Sequence, residues 1–250
     1  MTESKSFRCS TSGIRAVGLF VFACIHLCST SGAPQFVITQ KTGEHVLRGV
    51  PGLGSLGKGQ SLPVGASMFV REDAGLEAKL DSGELLRLGR LTNIALKEPR
   101  ELWIHKGAVL LYLPPEAAAF KLTSPLSGVT VEGSGALMLG VTESGGLKAV
   151  GIHGSVDLLL SNAERQSLGA GELIFVFTEG RGFSRKVDVE LATLIQTATL
   201  IRNFETPLPF LGELTKNARK QNRRIRDRYR ALVGDAKNNK EFELKIINEE

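Results

Sequence analysis

Leu102-Trp-Ile-His-Lys-Gly-Ala-Val-Leu-Leu-Tyr-Leu113 joins an alternating segment to a run that is apolar at nearly every position. Strand side chains point to opposite faces in turn, so a run like Ala108–Leu113 is expected to be a central strand covered on both sides. Leu173-Ile-Phe-Val-Phe177 has the same character. On either side of these runs the chain alternates. Leu86 and Leu88 flank Arg87, Phe120 and Leu122 flank Lys121, and Val129 and Val131 flank Thr130. Leu137, Leu139 and Val141 keep the period, as do Val156, Leu158 and Leu160. A period of two with one apolar face predicts half-buried strands, whose intervening polar residues face solvent.

Glycine supplies the positive φ that tight turns need, and the chain holds 28 of them. Turns are expected at Asp81-Ser-Gly83, Lys106-Gly107, Glu132-Gly-Ser-Gly135, Ser144-Gly-Gly146, His153-Gly154 and Gly169-Ala-Gly171. Short strands with such turns predict an all-β core, a solenoid or roll or a sandwich, over residues 66–180. A strand and a Gly/Pro-rich loop are expected over 34–65. A C-terminal helical extension is expected over 187–234. Asp188 is the candidate cap of a helix whose apolar face is Leu191, Leu194, Ile195 and Ala198, and Pro207 and Pro209 end it. A second helix runs from Phe210 to Val233 with the stripe Leu211, Leu214, Ala218, Ile225, Tyr229 and Leu232, interrupted at Gln221 or Asn222. Residues 235–250 are expected to be a polar tail or, at Phe242–Ile246, an added edge strand.

The first 33 residues carry a secretory leader pattern. Lys5, Arg8 and Arg15 precede the apolar run Ala16–Cys28, and small residues Ser29–Ala33 follow. The run falls short of the roughly 20 residues a helix needs to cross a membrane. Cleavage after Ala33 and a lipidated Cys24 are both open. Cys9, Cys24 and Cys28 all lie in the leader, so the mature chain would hold no disulfide, thiol nucleophile or cysteine metal site.

Several segments in order resemble the FecR-type domain. Leu80-Asp-Ser-Gly-Glu-Leu-Leu-Arg-Leu-Gly89 and Asn93-Ile-Ala-Leu96 are similar to its strand, Asp/Gly turn and alternating second strand. Leu102–Leu111 looks like its apolar strand, Lys-Gly turn and apolar strand. Phe120-Lys-Leu-Thr-Ser-Pro125, Gly128-Val-Thr-Val-Glu-Gly133, Val150–Val156 and Leu168-Gly-Ala-Gly-Glu172 continue the resemblance. It covers about Ser67 to Phe177. It implies a Gly-turned all-β domain of bacterial envelopes, whose best-known members relay an iron-siderophore signal to a sigma factor. Those members carry a cytoplasmic sigma-binding region and a membrane span. Only residues 1–15 precede the leader run here, so the organisation is closer to a standalone exported FecR-domain protein.

Motifs for chemistry are sparse. Gly52-Leu-Gly-Ser-Leu-Gly57 matches the spacing of a dinucleotide loop, but Pro51, Gly59 and Pro63 crowd it and no helix pattern follows. No Gly-x-Ser-x-Gly elbow occurs. His105 and His153, with Glu101 or Asp157, are a conceivable metal set, against the commoner reading of strand-end histidines in solvent. Glu72, Asp73, Glu77, Asp81 and Glu84 are scattered and read as a solvated face. No catalytic residue, cofactor or metal is therefore expected.

Two features remain as partner contacts. Trp103 points away from Leu102 and Ile104, toward a ligand or a second buried layer. The C-terminal helix carries Lys216, Arg219, Lys220, Arg223, Arg224, Arg226 and Arg230, where the charge excess of the chain (+5) is concentrated. A basic helix suits anionic lipid heads, lipopolysaccharide, a wall polymer or nucleic acid, of which export makes nucleic acid the least suitable. The bland alternative is a solvated outer face, and the near-heptad spacing also permits coiled-coil pairing with a partner. The expectation is an exported periplasmic or secreted bacterial protein, non-catalytic, that binds or senses an envelope protein. The alternative is a structural protein held to an anionic polymer or membrane by the basic helix. No small-molecule substrate is expected.

Overall fold

The computed structural model describes residues 35–48, 55–178 and 181–228, with side chains to Arg223 at the C-terminal end. The leader, Gly52–Gly54 of the Gly52–Gly57 loop, Arg230 and Phe242–Ile246 lie outside the described residues, as do the side chains of Arg224 and Arg226.

The chain is an all-β body with a helical C-terminal extension. Its strands are β1 (Val37–Thr42), β2 (His45–Arg48), β3 (Ser67–Val70), β4 (Gly75–Lys79), β5 (Leu85–Leu88), β6 (Asn93–Glu98) and β7 (Glu101–Lys106). They continue with β8 (Ala108–Leu113), β9 (Phe120–Thr123), β10 (Gly128–Val141), β11 (Leu147–Leu159), β12 (Arg165–Gly169), β13 (Glu172–Val176) and β14 (Val187–Asp188). Three helices follow: α1 (Leu191–Thr197), α2 (Thr199–Arg202) and α3 (Leu211–Arg228). None of the described helices is long and apolar enough to cross a membrane.

Among the described residues all fourteen strands belong to one sheet, in the order β1-β4-β5-β8-β10-β9-β7-β6-β3-β2, with β11 on β10 and β12, β13 and β14 beyond it. Along the chain the strands alternate between the two halves of this path. The hairpin β4–β5 lies in one half, the hairpins β2–β3 and β6–β7 in the other, and β8 returns to the first. The sheet therefore curls into a roll. Both halves send side chains into one core, among them Ile38, Leu76, Leu88 and Leu111 from one and Met68, Ile94, Leu102 and Leu122 from the other. Phe36 and Phe120 meet edge to face, ring centres 6.0 Å apart. One pair, β7 with β9, is parallel; the other named pairs are antiparallel.

The long strands β10 and β11 make the curl. The first part of β10, Gly128–Val131, pairs with β9, and the later part, Gly135–Gly140, pairs with β8. In the same way β11 pairs with β13 at Leu147–Val150 and with β12 at Ser155–Leu159. Between these parts Gly135 lies opposite Gly154, and the register slips at Ala136/Leu137. Gly133 and Gly154 have φ of 92° and 63°. The sequence alone predicts turns at Glu132–Gly135 and His153-Gly154. They instead mark a bend inside two continuous strands, because a bulge and a turn call for the same glycines.

The other turn expectations hold. Asp81–Gly83 joins β4 to β5, Ser144–Gly146 joins β10 to β11, and Gly107 alone separates β7 from β8. These last two strands do not pair: β7 lies between β6 and β9, and β8 between β5 and β10. Gly107 is thus the corner at which the chain passes from one half of the roll to the other. Its φ is 92°, and a Cβ there would lie 2.6 Å from the Thr92 backbone.

The central-strand reading of Ala108–Leu113 is correct. Val109, Leu111 and Leu113 face the roll interior, while Leu110, with Ala108 and Tyr112, faces a second apolar cluster on the outside. Leu173–Phe177 is covered on one face only. Ile174 and Val176 are buried, but Phe175 and Phe177 are 37% and 45% exposed, because the helical extension reaches only Leu173 on that face. Asp188 does not cap α1. It pairs with Glu172 in β14, and the N–H of Leu191 is instead met by Gln221 Oε1 at 2.8 Å. The 34–65 region, expected to hold one strand and a loop, contains two strands, β1 and β2.

His45 of β2 is buried, with Nε2 2.9 Å from the Leu56 carbonyl and no hydrogen-bond partner at Nδ1. Burial lowers its pKa from 6.5, a change the Leu56 bond opposes and Lys41 reinforces. The unfolded chain binds this proton more readily, so stability is complete above pH 6.5 and falls as pH drops from there through the depressed folded value. Urea midpoints measured from pH 7.5 to 5 should fall with acid, and His45→Gln should flatten the part of the slope that lies just below 6.5. Gly107→Ala, which adds both strain and overlap, should lower the unfolding free energy by about 2–4 kcal/mol. An unchanged urea midpoint would rule out the tight corner.

Candidate functional site

The outer face of β5, β8, β10 and β11 is apolar, carrying Leu85, Leu110, Ala136, Val150 and Ile152. Such a face has to be covered, and the helices cover it with Leu191, Leu200, Ile201, Leu208, Phe210, Leu214 and Ala218. The helical extension is thus a cap on the outside of the roll.

A buried charged pair fixes the cap in place. Arg87 and Glu77 are 0% and 1% exposed, on neighbouring strands β5 and β4. Arg87 Nε donates to Glu77 Oε2 at 2.8 Å, and Nη2 lies 2.7 Å from the same oxygen as an ion pair. Its other N–H groups reach main-chain carbonyls of the cap: Leu200 at 3.0 Å, Ile201 at 3.3 Å and Thr206 at 2.7 Å. The guanidinium also lies 4.2 Å from the ring centre of Phe204. Burial pushes Arg87 below its ordinary pKa, and the hydrogen bond and charge of Glu77 oppose that change. Glu77 Oε1 accepts from Thr39 Oγ1 at 2.7 Å and Gln40 Nε2 at 3.0 Å, and Gln40 Oε1 accepts from the Thr206 N–H at 3.0 Å. Sequence reasoning missed this network. Both charged residues alternate with apolar neighbours, the pattern of a solvated face.

The cap is pinned at two further points. Gln221 is buried and bridges the strand-to-helix junction, donating to Val189 O and accepting from Leu191 N, each at 2.8 Å. Its interruption of the apolar stripe therefore has a structural use. His153 of β11 stacks on Phe210 at 4.7 Å between ring centres, with Nδ1 3.6 Å from Glu213 Oε2. Tyr112 packs on Phe210 at 5.2 Å.

With its apolar side docked, α3 turns its basic side outward. Lys216, Arg219, Lys220 and Arg223 are all exposed and follow i, i+3, i+4, i+7 spacing. At about 3.6 residues per turn that stripe lies opposite Leu214, Ala218 and Gln221. None of these four forms an ion pair with an acid among the described residues. An open groove of about 690 Å³ runs along one flank of α3, lined by Pro207, Leu208, Leu211, Gly212, Thr215, Lys216 and Arg219. A second, of about 580 Å³, lies on the other flank and is bordered by Lys220 and Arg223.

Trp103 is on the outer face of the other half of the roll, opposite Ala95 and Thr123. It is half-buried. His105 stacks on it at 4.5 Å and Lys97 Nζ lies 4.7 Å from its ring centre. Its neighbours are therefore already in contact with the ring, and its Nε1 is buried without a hydrogen-bond partner. The structure does not bring His105 and His153 together. Their stacking partners are Trp103 and Phe210, while Glu101 pairs with Lys121 at 3.1 Å and Asp157 with Arg165 at 3.5 Å. Among the described residues no group of three His, Cys, Asp or Glu side chains is placed to hold a metal ion. Glu84, read as solvated, is buried against Arg100 and Ser82.

No protein-family model matches the sequence, and no curated protein matches it. Two crystal structures of a proposed anti-sigma factor from Parabacteroides distasonis align with the chain at a TM-score of 0.41, with 14% and 15% identity. The alignments cover 52% of this chain and 65% and 64% of theirs, just under two thirds of those chains. At that score the likeness carries no argument about what this protein does.

Breaking the buried pair from one side should be far worse than removing both partners. Arg87→Ala leaves Glu77 charged and dry and should cost about 3–5 kcal/mol, while Glu77→Leu with Arg87→Met should cost much less. Urea unfolding of the single and double variants measures this coupling. Limited proteolysis within residues 191–210 should show the cap loosening in the single variant.

Proposed function

We propose that this chain is a non-catalytic binding or sensing module of the bacterial envelope, with a FecR-like β roll as support and the helical cap as contact surface. The observation that carries the reading is the stripe Lys216, Arg219, Lys220 and Arg223, exposed and without acidic partners among the described residues, on a helix whose opposite side is docked. Lone exposed cations are cheap to hydrate and add little to the stability of a fold. Arranged in line on a clamped support, they favour and orient an acidic partner. The leader pattern of the first 33 residues and the order of FecR-like segments from Ser67 to Phe177 support the envelope setting. The partner in this reading is an envelope protein, and neither cofactor nor nucleic acid takes part.

The same stripe favours a second reading, attachment to an anionic envelope polymer or membrane face. Salt separates the two, since purely electrostatic attachment weakens sharply once the screening length falls to about 8 Å at physiological ionic strength.

Fractionation of cells producing the tagged chain, with a photo-crosslinking residue at position 216, 220 or 103, tests the proposal. The expected result is a chain in the envelope fraction, shortened by its leader, that crosslinks from 216 and 220 to a discrete protein at physiological salt. A full-length chain confined to the cytoplasm would overturn the envelope setting. Crosslinks that vanish with salt and yield only polymer or lipid would replace the binding-module reading with the attachment one.

A further inference from the structure

We infer that the groove between α3 and the 207–211 segment is a docking site for an acidic amphipathic segment of a partner protein. The inference rests on the binding-module reading and names the chemistry of its partner. The groove has two characters side by side. Its apolar part is exposed Pro207 and half-buried Leu211, with Leu208 buried behind them, and its rim carries Lys216 and Arg219, three residues apart on one helix face. Side chains at that spacing are neighbours on the helix surface, so they present two cations close together above apolar surface.

Each class of anionic partner meets this arrangement differently. A sugar or phosphate polymer can neutralise the cations but has nothing to place against Pro207 and Leu211. The lipid-insertion route is closed to the docked side of α3, because Leu214 and Ala218 are buried against the roll. A helical peptide with leucine-like residues on one side and carboxylates flanking them satisfies both the apolar part and the rim, the usual logic of a helix laid in a groove.

Gly212 supplies a test of shape separate from charge. It lines the groove, and a Cβ added there would meet nothing within 4 Å. The space a side chain would fill is the space the partner needs. Leucine is a better helix former than glycine, so Gly212→Leu should leave α3 intact while filling the groove.

The experiment is fluorescence anisotropy with the chain as purified from cells. The probe is a fluorescein-labelled helical peptide of about sixteen residues, leucine at i, i+3, i+4 and i+7 with flanking glutamates. A scrambled peptide of the same composition, poly-glutamate and phosphatidylglycerol vesicles serve as competitors. The amphipathic peptide is expected to bind at least about tenfold more tightly than the scramble. Lys216→Glu with Arg219→Glu should weaken it by about tenfold or more, and Gly212→Leu by a similar factor with no fall in the urea midpoint. Equal binding of scramble or poly-glutamate, or full binding by the Gly212→Leu protein, would overturn the groove and leave a bare polyanion contact. Vesicle binding that survives Gly212→Leu would point to a lipid surface and overturn it likewise. Absent peptide binding beside persistent in-cell crosslinks from position 216 would sink this inference while leaving the binding-module reading standing. Loss of both would remove both.

Discussion

Arg87 and Glu77 are taken wholly out of water, and much of the architecture follows from how that cost is met. Desolvating two charges costs several kcal/mol each, which their mutual attraction offsets only when the remaining donors and acceptors are also satisfied. A guanidinium has five N–H donors in a fixed planar fork. One goes to Glu77, whose same oxygen also pairs with Nη2 at 2.7 Å, and three go to the carbonyls of Leu200, Ile201 and Thr206. Those carbonyls cannot move far without leaving a buried cation short of acceptors. The end of α2 and the turn toward α3 are thereby fixed against β4 and β5, and the direction in which α3 leaves is fixed with them.

The clamp works together with an uneven sheet. Where the roll is apolar on its outside, at Leu85, Leu110, Ala136, Val150 and Ile152, the cap lies. The outer face of β6, β7 and β9 carries Lys97, Trp103, His105, Lys121 and Thr123, which need no apolar cover. The cap could therefore dock in one place only. Its polar side, with the basic stripe and the flanking grooves, is a consequence of that choice.

Much of the β body was legible because its physics is local. Alternation at Phe120–Leu122 and Val129–Val131 and unbroken apolar character at Ala108–Leu113 report how many faces of a strand are covered. The turns at Asp81–Gly83 and Ser144–Gly146 were legible for the same reason. The failures share a different cause. Gly135 and Gly154 sit at a bend between two paired strands, and a bend needs the same conformational freedom as a turn. Asp188 had the right chemistry for a helix cap, but pairing of Val187 with Leu173 drew it into a strand and Gln221, thirty residues beyond Leu191, took the capping role. Phe175 and Phe177 read as buried because apolar character says what a residue prefers and not whether the cap reaches it.

The candidate site divides along the same line. The basic stripe was present in the sequence, since charge and helical spacing are properties of neighbours, and so was the expectation that its Leu214 and Ala218 side would be buried. The sequence by itself determined an all-β body, a helical extension and a cationic helix face, all of them set by periods of two and of 3.6 residues within short windows. Tertiary structure alone decided that Arg87 and Glu77 are dry, that His105 and His153 have separate partners, and that Pro207 and Leu211 line one groove with Lys216 and Arg219. These depend on which strands pair and which face the cap covers. Burial and proximity are collective outcomes of contacts between residues far apart in the chain, and no local window contains them.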